Sequence, residues 1–180
     1  MRERVRKMFF AWDFEEEEAW LNHMARQGKA LVAFGFGYYD FEPTQPGEYT
    51  IRMEMLPHWP NHPESQEYIR FVEETGAEHI GNLKNWVCFR KKTADGSFDL
   101  FSDRESRLKY VKRFIPLLIM CCLAILVGMV PNLIVGLKYG FWLNLLVGLG
   151  GIAFGAFLFK GLIKIIQKKQ KLENEGNLFE

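Results

Sequence analysis

IPLLIMCCLAILVGMVPNLIVGL, residues 115–137, and FWLNLLVGLGGIAFGAFLF, residues 141–159, contain no charged side chain. About 20 apolar residues in a helix cross the hydrocarbon of a bilayer, and a helix is required there because unpaired backbone groups cannot be left in lipid. The pair therefore predicts a transmembrane hairpin over residues 114–166, with the second helix continuing past 159 to about 166. Pro116 suits the first turn of a helix, where its missing N–H costs nothing. Pro131-Asn132 is expected to bend or end the first span, and Gly136, Lys138 and Gly140 to make the turn. Gly151-x-x-x-Gly155 permits close helix approach, either within the hairpin or in a homo-oligomer.

Charge around the hairpin sets its expected orientation. Arg104, Arg107, Lys109, Lys112 and Arg113 precede the first stretch, and Lys160, Lys164, Lys168, Lys169 and Lys171 follow the second; Lys138 alone lies between. Lys and Arg stay on the cytoplasmic side, so both termini are expected inside, in a cell membrane crossed twice. Tyr139 and Trp142 would sit at the outer interface and Tyr110 at the inner one, while Lys160, Lys164 and Lys168 would reach anionic headgroups. A basic cytoplasmic tail is expected over 167–180. The start of the chain reads as lacking a signal peptide, because Met8-Phe9-Phe10-Ala11-Trp12 is short and acidic residues follow it.

The near-neutral balance of 23 Lys+Arg against 22 Asp+Glu conceals two different parts. Residues 1–103 hold 12 basic and 18 acidic side chains, whereas residues 104–180 hold 11 and 4. A mildly acidic domain, residues 1–102, thus precedes a connecting helix over 103–113 and the hairpin. Cys88, Cys121 and Cys122 have no spacing that suggests disulfides or zinc, and read as small apolar residues of a reduced compartment.

Within the acidic part, residues 20–28 and 68–76 align at a constant offset: Trp20 with Tyr68, Gly28 with Gly76, Tyr38 with Trp86, Phe41 with Phe89. Each half, about 4–42 and 49–91, reads as strand–helix–strand–strand. Strands are expected at 4–10, 30–36 and 38–42, then 49–55, 78–82 and 86–91. Asp13 with Glu16 has the spacing of a capping box, and Ala19, Trp20, His23, Met24 and Gln27 recur at helical period. The second helix begins at Pro63 to Ser65, with Ile69, Phe71 and Val72 inward. Gly28 and Gly76 stop the two helices. The expected fold class is α+β: an antiparallel sheet with both helices on one face, followed by the two-helix hairpin. A short edge strand at 98–102 and a capping box of Ser102 with Glu105 would lead into the connecting helix.

These motifs resemble an uncharacterised bacterial family of membrane-anchored cytoplasmic domains of unknown function, often encoded beside PadR-type regulators. The likeness covers about residues 4–110. It rests on Trp20-Leu21-Asn22 with Gly28, Tyr39-Asp40-Phe41-Glu42, Tyr68 with Gly76, Phe89-Arg90-Lys91, and Phe101-Ser102-Asp103-Arg104-Glu105-Ser106. The family pattern favours tryptophan after each glycine, where this chain has Lys29 and Ala77. The repeated topology also looks like gyrase-inhibitor-type domains, which take small, often cationic molecules on a concave sheet face.

Strand alternation places Tyr39, Phe41, Val87 and Phe89 against the helices. Tyr38, Asp40, Glu42, Trp86, Cys88 and Arg90 fall on the other face, with Arg52 and Glu54 expected beside them. Aromatic rings next to carboxylates can hold an organic cation. Two roles follow: a membrane-tethered module that binds a protein partner, or a sensor of a small-molecule cation on Tyr38, Asp40, Glu42, Arg52, Glu54, Trp86 and Arg90. No nucleophile–base motif or phosphate loop stands out, so no enzyme and no cofactor are expected. His23, His58, His62 and His79 read as ordinary side chains, and no metal site is expected. The basic residues cluster near the membrane, which argues against a nucleic-acid partner.

Overall fold

The computed structural model describes residues 2–10, 12–100 and 104–177; the side chains at 104–107, 109, 110, 113 and 175–177 lie outside the described residues. The chain forms two compact units that divide between residues 101 and 102.

The first unit runs β1 (Glu3–Arg6), α1 (Phe14–Arg26), β2 (Lys29–Gly35), β3 (Tyr38–Pro43), then β4 (Tyr49–Met55), α2 (Pro63–Glu74), β5 (Glu78–Leu83) and β6 (Trp86–Lys92). The order strand–helix–strand–strand thus occurs twice. Gly28 and Gly76 follow the two helices at φ +79° and +86°, a backbone region that disfavours a side chain. The pairing registers shift at Leu31/Ala33 and again at His79/Gly81, the same place in each half.

The strands form two three-stranded antiparallel sheets, β1-β3-β2 and β4-β6-β5, rather than one continuous sheet. Helix α1 puts Leu21, Met24 and Ala25 into a core with Leu31, Tyr39 and Phe41 of the first sheet and Ile51, Met53 and Cys88 of the second. Helix α2 puts Ile69 and Val72 against Val87, Phe89, Leu56 and Phe98. Consecutive strand residues point to opposite faces, so α1 and α2 cover opposite faces of the β4-β6-β5 sheet. The helices therefore do not share one face as expected.

Helix phases also differ from expectation. Ala19, His23 and Gln27 of the first stripe are exposed, and the buried stripe is Leu21, Met24 and Ala25. Phe71 of α2 is exposed. Asp13 is the N-cap of α1, but its carboxylate makes no cap bond and accepts from the Phe10 N–H at 3.3 Å. Residues 98–100 form no strand; Phe98 plugs the second core instead. The remainder of that expected strand and the Ser102–Glu105 box lie outside the described residues.

The second unit is a helical hairpin of α3 (Arg104–Tyr139) and α4 (Trp142–Asn177), each 36 residues long. The turn is narrower than expected: Gly140, at φ +71°, and Phe141 make it alone. Helix α3 runs through Pro131 instead of ending near it. A proline removes one backbone hydrogen bond, and Asn132 Nδ2 donates to Gly128 O at 2.7 Å within that loosened turn. Helix α4 likewise continues into the expected tail as far as Asn177.

Small residues set the approach of α3 to α4. A Cβ at Gly136 would lie 2.8 Å from Leu145 N, and one at Gly148 2.6 Å from Leu133 Cγ. Gly151 and Gly155 face Met129 and Ile125 in the same seam, so within the hairpin they serve α3–α4 packing. Asn144 Nδ2 donates to Asn132 Oδ1 across the helices at 3.2 Å, and Lys112 pairs with Glu173 at 3.3 Å towards the other end.

Candidate functional site

The seven residues expected to hold a cation fall into separate places. On the first sheet, β1 lies beside β3 with Arg4 opposite Asp40. Arg4 Nε and Nη2 donate to the two Asp40 oxygens at 2.6 and 2.7 Å, and its guanidinium sits 4.5 Å from the centre of the Tyr38 ring. Arg2 Nε donates to Glu42 at 2.8 Å. These hydrogen bonds hold both carboxyls below their ordinary pKa. The rings and carboxylates do hold cations, but they are the chain's own.

In the second sheet the register separates the remaining four. Arg52 pairs with Phe89 and Glu54 with Val87, so they belong to the face that α2 covers, opposite Trp86, Cys88 and Arg90. Their expected grouping with Trp86 and Arg90 is therefore incorrect. Arg52 donates to Glu18 and Asp99 at 3.2 and 2.9 Å, and Glu54 accepts from the Tyr68 hydroxyl. On the face towards α1, Trp86 packs 5.1 Å from Phe14 and Cys88 is fully buried. Burial pushes the Cys88 thiol pKa up. Arg90 binds Glu78 through Nε and Nη2 at 2.8 and 2.6 Å, donates from Nη1 to Leu31 O at 2.8 Å, and lies 4.6 Å over Tyr49. It links the halves.

Two polar devices in the core went unread in the sequence. Asn22 Nδ2 donates to Ile51 O at 2.8 Å while its Oδ1 accepts from Ile51 N at 2.9 Å, and Glu18 accepts from Met53 N at 2.8 Å. Side chains of α1 thus pair with the outer edge of β4, which would otherwise expose unpaired backbone groups. Tyr39 donates its hydroxyl to Glu17 at 2.5 Å. Burial raises the Glu17 pKa, with that hydrogen bond opposing it, and burial followed by the same bond raises the Tyr39 pKa.

Of the expected membrane-interface residues, Tyr139 and Trp142 are exposed on either side of the hairpin turn. Lys112 lies on α3, and Lys160, Lys164 and Lys168 lie on α4. The side chains of Tyr110 and Arg113 are outside the described residues.

A cluster that sequence reading passed over lies in the loop before α2. His58-Trp59-Pro60-Asn61-His62 has histidines four apart, a spacing that could have signalled it. His58, His62 and Glu64 bring one donor atom each to within 4.8 Å of one another.

These features define a class: an α+β unit joined to a pair of apolar helices, 26 and 33 residues by their apolar extent, long enough to cross a membrane. Residues 13–125, more than half of the chain, match the family described as "Protein of unknown function (DUF2812)", and the chain belongs to it. That description assigns no activity. No curated protein and no solved structure matches the chain.

Proposed function

We propose that this protein is a membrane-tethered cytoplasmic module that binds and regulates a protein partner at the bilayer surface. One observation carries the reading. Side chains such as Val127, Leu137, Leu143 and Phe154 stand exposed along α3 and α4, on helices whose apolar windows are only 6% and 17% buried. So much exposed apolar surface is unfavourable in water and calls for lipid. The flanking lysines and arginines support an orientation with both termini inside. Phe36 and Met8 stand exposed on the first unit, apolar surface of the kind that contacts partners. Membrane anchoring beside PadR-type regulators, implied by the resemblance, fits a regulatory role.

Crosslinking in native membranes, followed by mass spectrometry, tests it. A soluble protein crosslinked near Phe36, and lost in Phe36→Ser, is the expected result; only self-contacts would overturn the partner reading. Self-association through Gly151 and Gly155 would require the α3–α4 seam to open.

A second reading, an organic-cation sensor on the first sheet, draws on Arg4 held between Asp40 and Tyr38. An incoming cation would have to displace that arginine. Thermal stabilisation by an aromatic or alkyl ammonium ion, abolished by Asp40→Asn, is its test.

A further inference from the structure

We infer that His58, His62 and Glu64 form a binding site for a divalent cation of the zinc class, contrary to the expectation that the chain has no metal site. Two imidazole nitrogens and a carboxylate oxygen suit late first-row divalent ions, and three protein ligands leave a coordination position open. Zinc holds such donors at about 2.0–2.2 Å, which places tetrahedral neighbours roughly 3.4 Å apart. His58 Nε2 and Glu64 Oε2 already lie 3.4 Å apart. The whole set spans 4.8 Å, and both of these side chains are exposed, so modest rotation gathers the three donors.

The backbone beneath them is held. His62 N donates to Trp59 O at 2.9 Å, Gln66 Nε2 to Pro60 O at 2.6 Å, and Ser65 Oγ to His58 O at 3.4 Å. Pro57, Pro60 and Pro63 restrict the same segment, and Pro63 opens α2 directly after His62. Donors on a restrained loop lose less freedom on binding.

A simpler account is a surface pair of His58 with Glu64, the two histidine rings stacking 4.3 Å apart. His62 speaks against it. Its Nδ1 is shielded from solvent and has no hydrogen-bond partner among the described residues. A shielded ring nitrogen left without a partner is unfavourable, and coordination of a cation would satisfy it. A cleft of about 420 Å³ is lined by Trp59, Pro60 and Asn61 of the same loop, with Gln66, Asn82 and Lys84.

The test uses the full chain in detergent micelles, with Co²⁺ as a visible-absorbing probe and Zn²⁺ as competitor. One Co²⁺ per chain is expected, displaced by Zn²⁺. His58→Ala and Glu64→Gln should each weaken binding by about tenfold or more, with unchanged circular dichroism, while His23→Ala should leave it intact. His62→Ala removes a ligand but also alters the cap of α2, so the exposed pair decides the matter. Absence of stoichiometric binding, or binding indifferent to His58→Ala and Glu64→Gln, would overturn the site.

Discussion

Asn22 makes the same pair of bonds to Ile51 that a neighbouring strand would make. Cutting it to alanine leaves a backbone N–H and C=O at the β4 edge without those partners. Each unsatisfied group costs about 1–3 kcal/mol when buried. Asn22→Ala is therefore expected to destabilise the first unit by about 2–3 kcal/mol, with faster hydrogen exchange at the Ile51 amide; an unchanged exchange rate would show that the edge is held some other way. Glu17 is read through pH. Its raised pKa means that the folded state keeps the proton to higher pH than the unfolded chain. Its stabilising contribution is thus complete below the unfolded value of about 4.3 and is lost as pH rises through the folded value. Asp40 and Glu42, lowered by Arg4 and Arg2, act the other way and lose their contribution as pH falls. In a melting series, Glu17→Gln should gain on the parent between acid and neutral pH, and a flat difference would contradict the assignment. Tyr39→Phe, which strips the hydroxyl from the half-buried Glu17 carboxylate, should cost about 1–2 kcal/mol at neutral pH.

At the scale of elements, the two post-helix glycines separate conformational strain from crowding. Both have positive φ, so alanine is strained at each. A Cβ on Gly76 would meet only the end of Lys91 at 3.9 Å, whereas one on Gly28 would press on Thr44 O at 2.8 Å. Gly76→Ala should cost about 1 kcal/mol and Gly28→Ala distinctly more, measured by denaturant titration of each variant. The strands were legible because glycine, proline and short alternating runs mark them: β3, β4 and β6 begin at Tyr38, Tyr49 and Trp86 as expected. The α1 stripe was misjudged because Trp20 and Met24 attract a reading centred on them, while small Ala25 and flat-packed Leu21 make the closer contact. The two-sheet split was not legible at all. It depends on α1 docking against the β4 edge, a contact between residues 29 apart in sequence that no local pattern encodes. The same holds for the cation face: alternation groups Trp86, Cys88 and Arg90 on one side of β6, but that side, expected to be open, packs against α1, and the Arg52–Phe89 register turns the β4 charges to the other. The His58–His62 spacing was present but sits in a proline-rich loop, where helical periodicity gives no guide.

For the whole molecule the decisive quantity is the free energy of leaving α3 and α4 in water. A charged residue costs about 2.5–3.5 kcal/mol at the centre of a membrane helix, while Leu, Ile, Phe and Val each favour insertion, so the uncharged runs enter lipid and the charges stay at their ends. Lys138 is the single basic residue near the turn, against the two clusters at the other ends of the helices. The turn should therefore cross the membrane while residue 97, exposed after β6, stays behind. Cysteine placement reads this out without disturbing a packed site, because native Cys88 is fully buried with a raised thiol pKa and Cys121 and Cys122 lie within the first apolar helix. In intact cells a membrane-impermeant maleimide should label Lys138→Cys and spare Ser97→Cys until the cells are permeabilised. Labelling of Ser97→Cys first would invert the topology and place the α+β unit outside. Failure to label Lys138→Cys from outside, together with solubility of the chain after ultracentrifugation without detergent, would mean that α3 and α4 do not cross a bilayer and that their apolar faces are covered by protein.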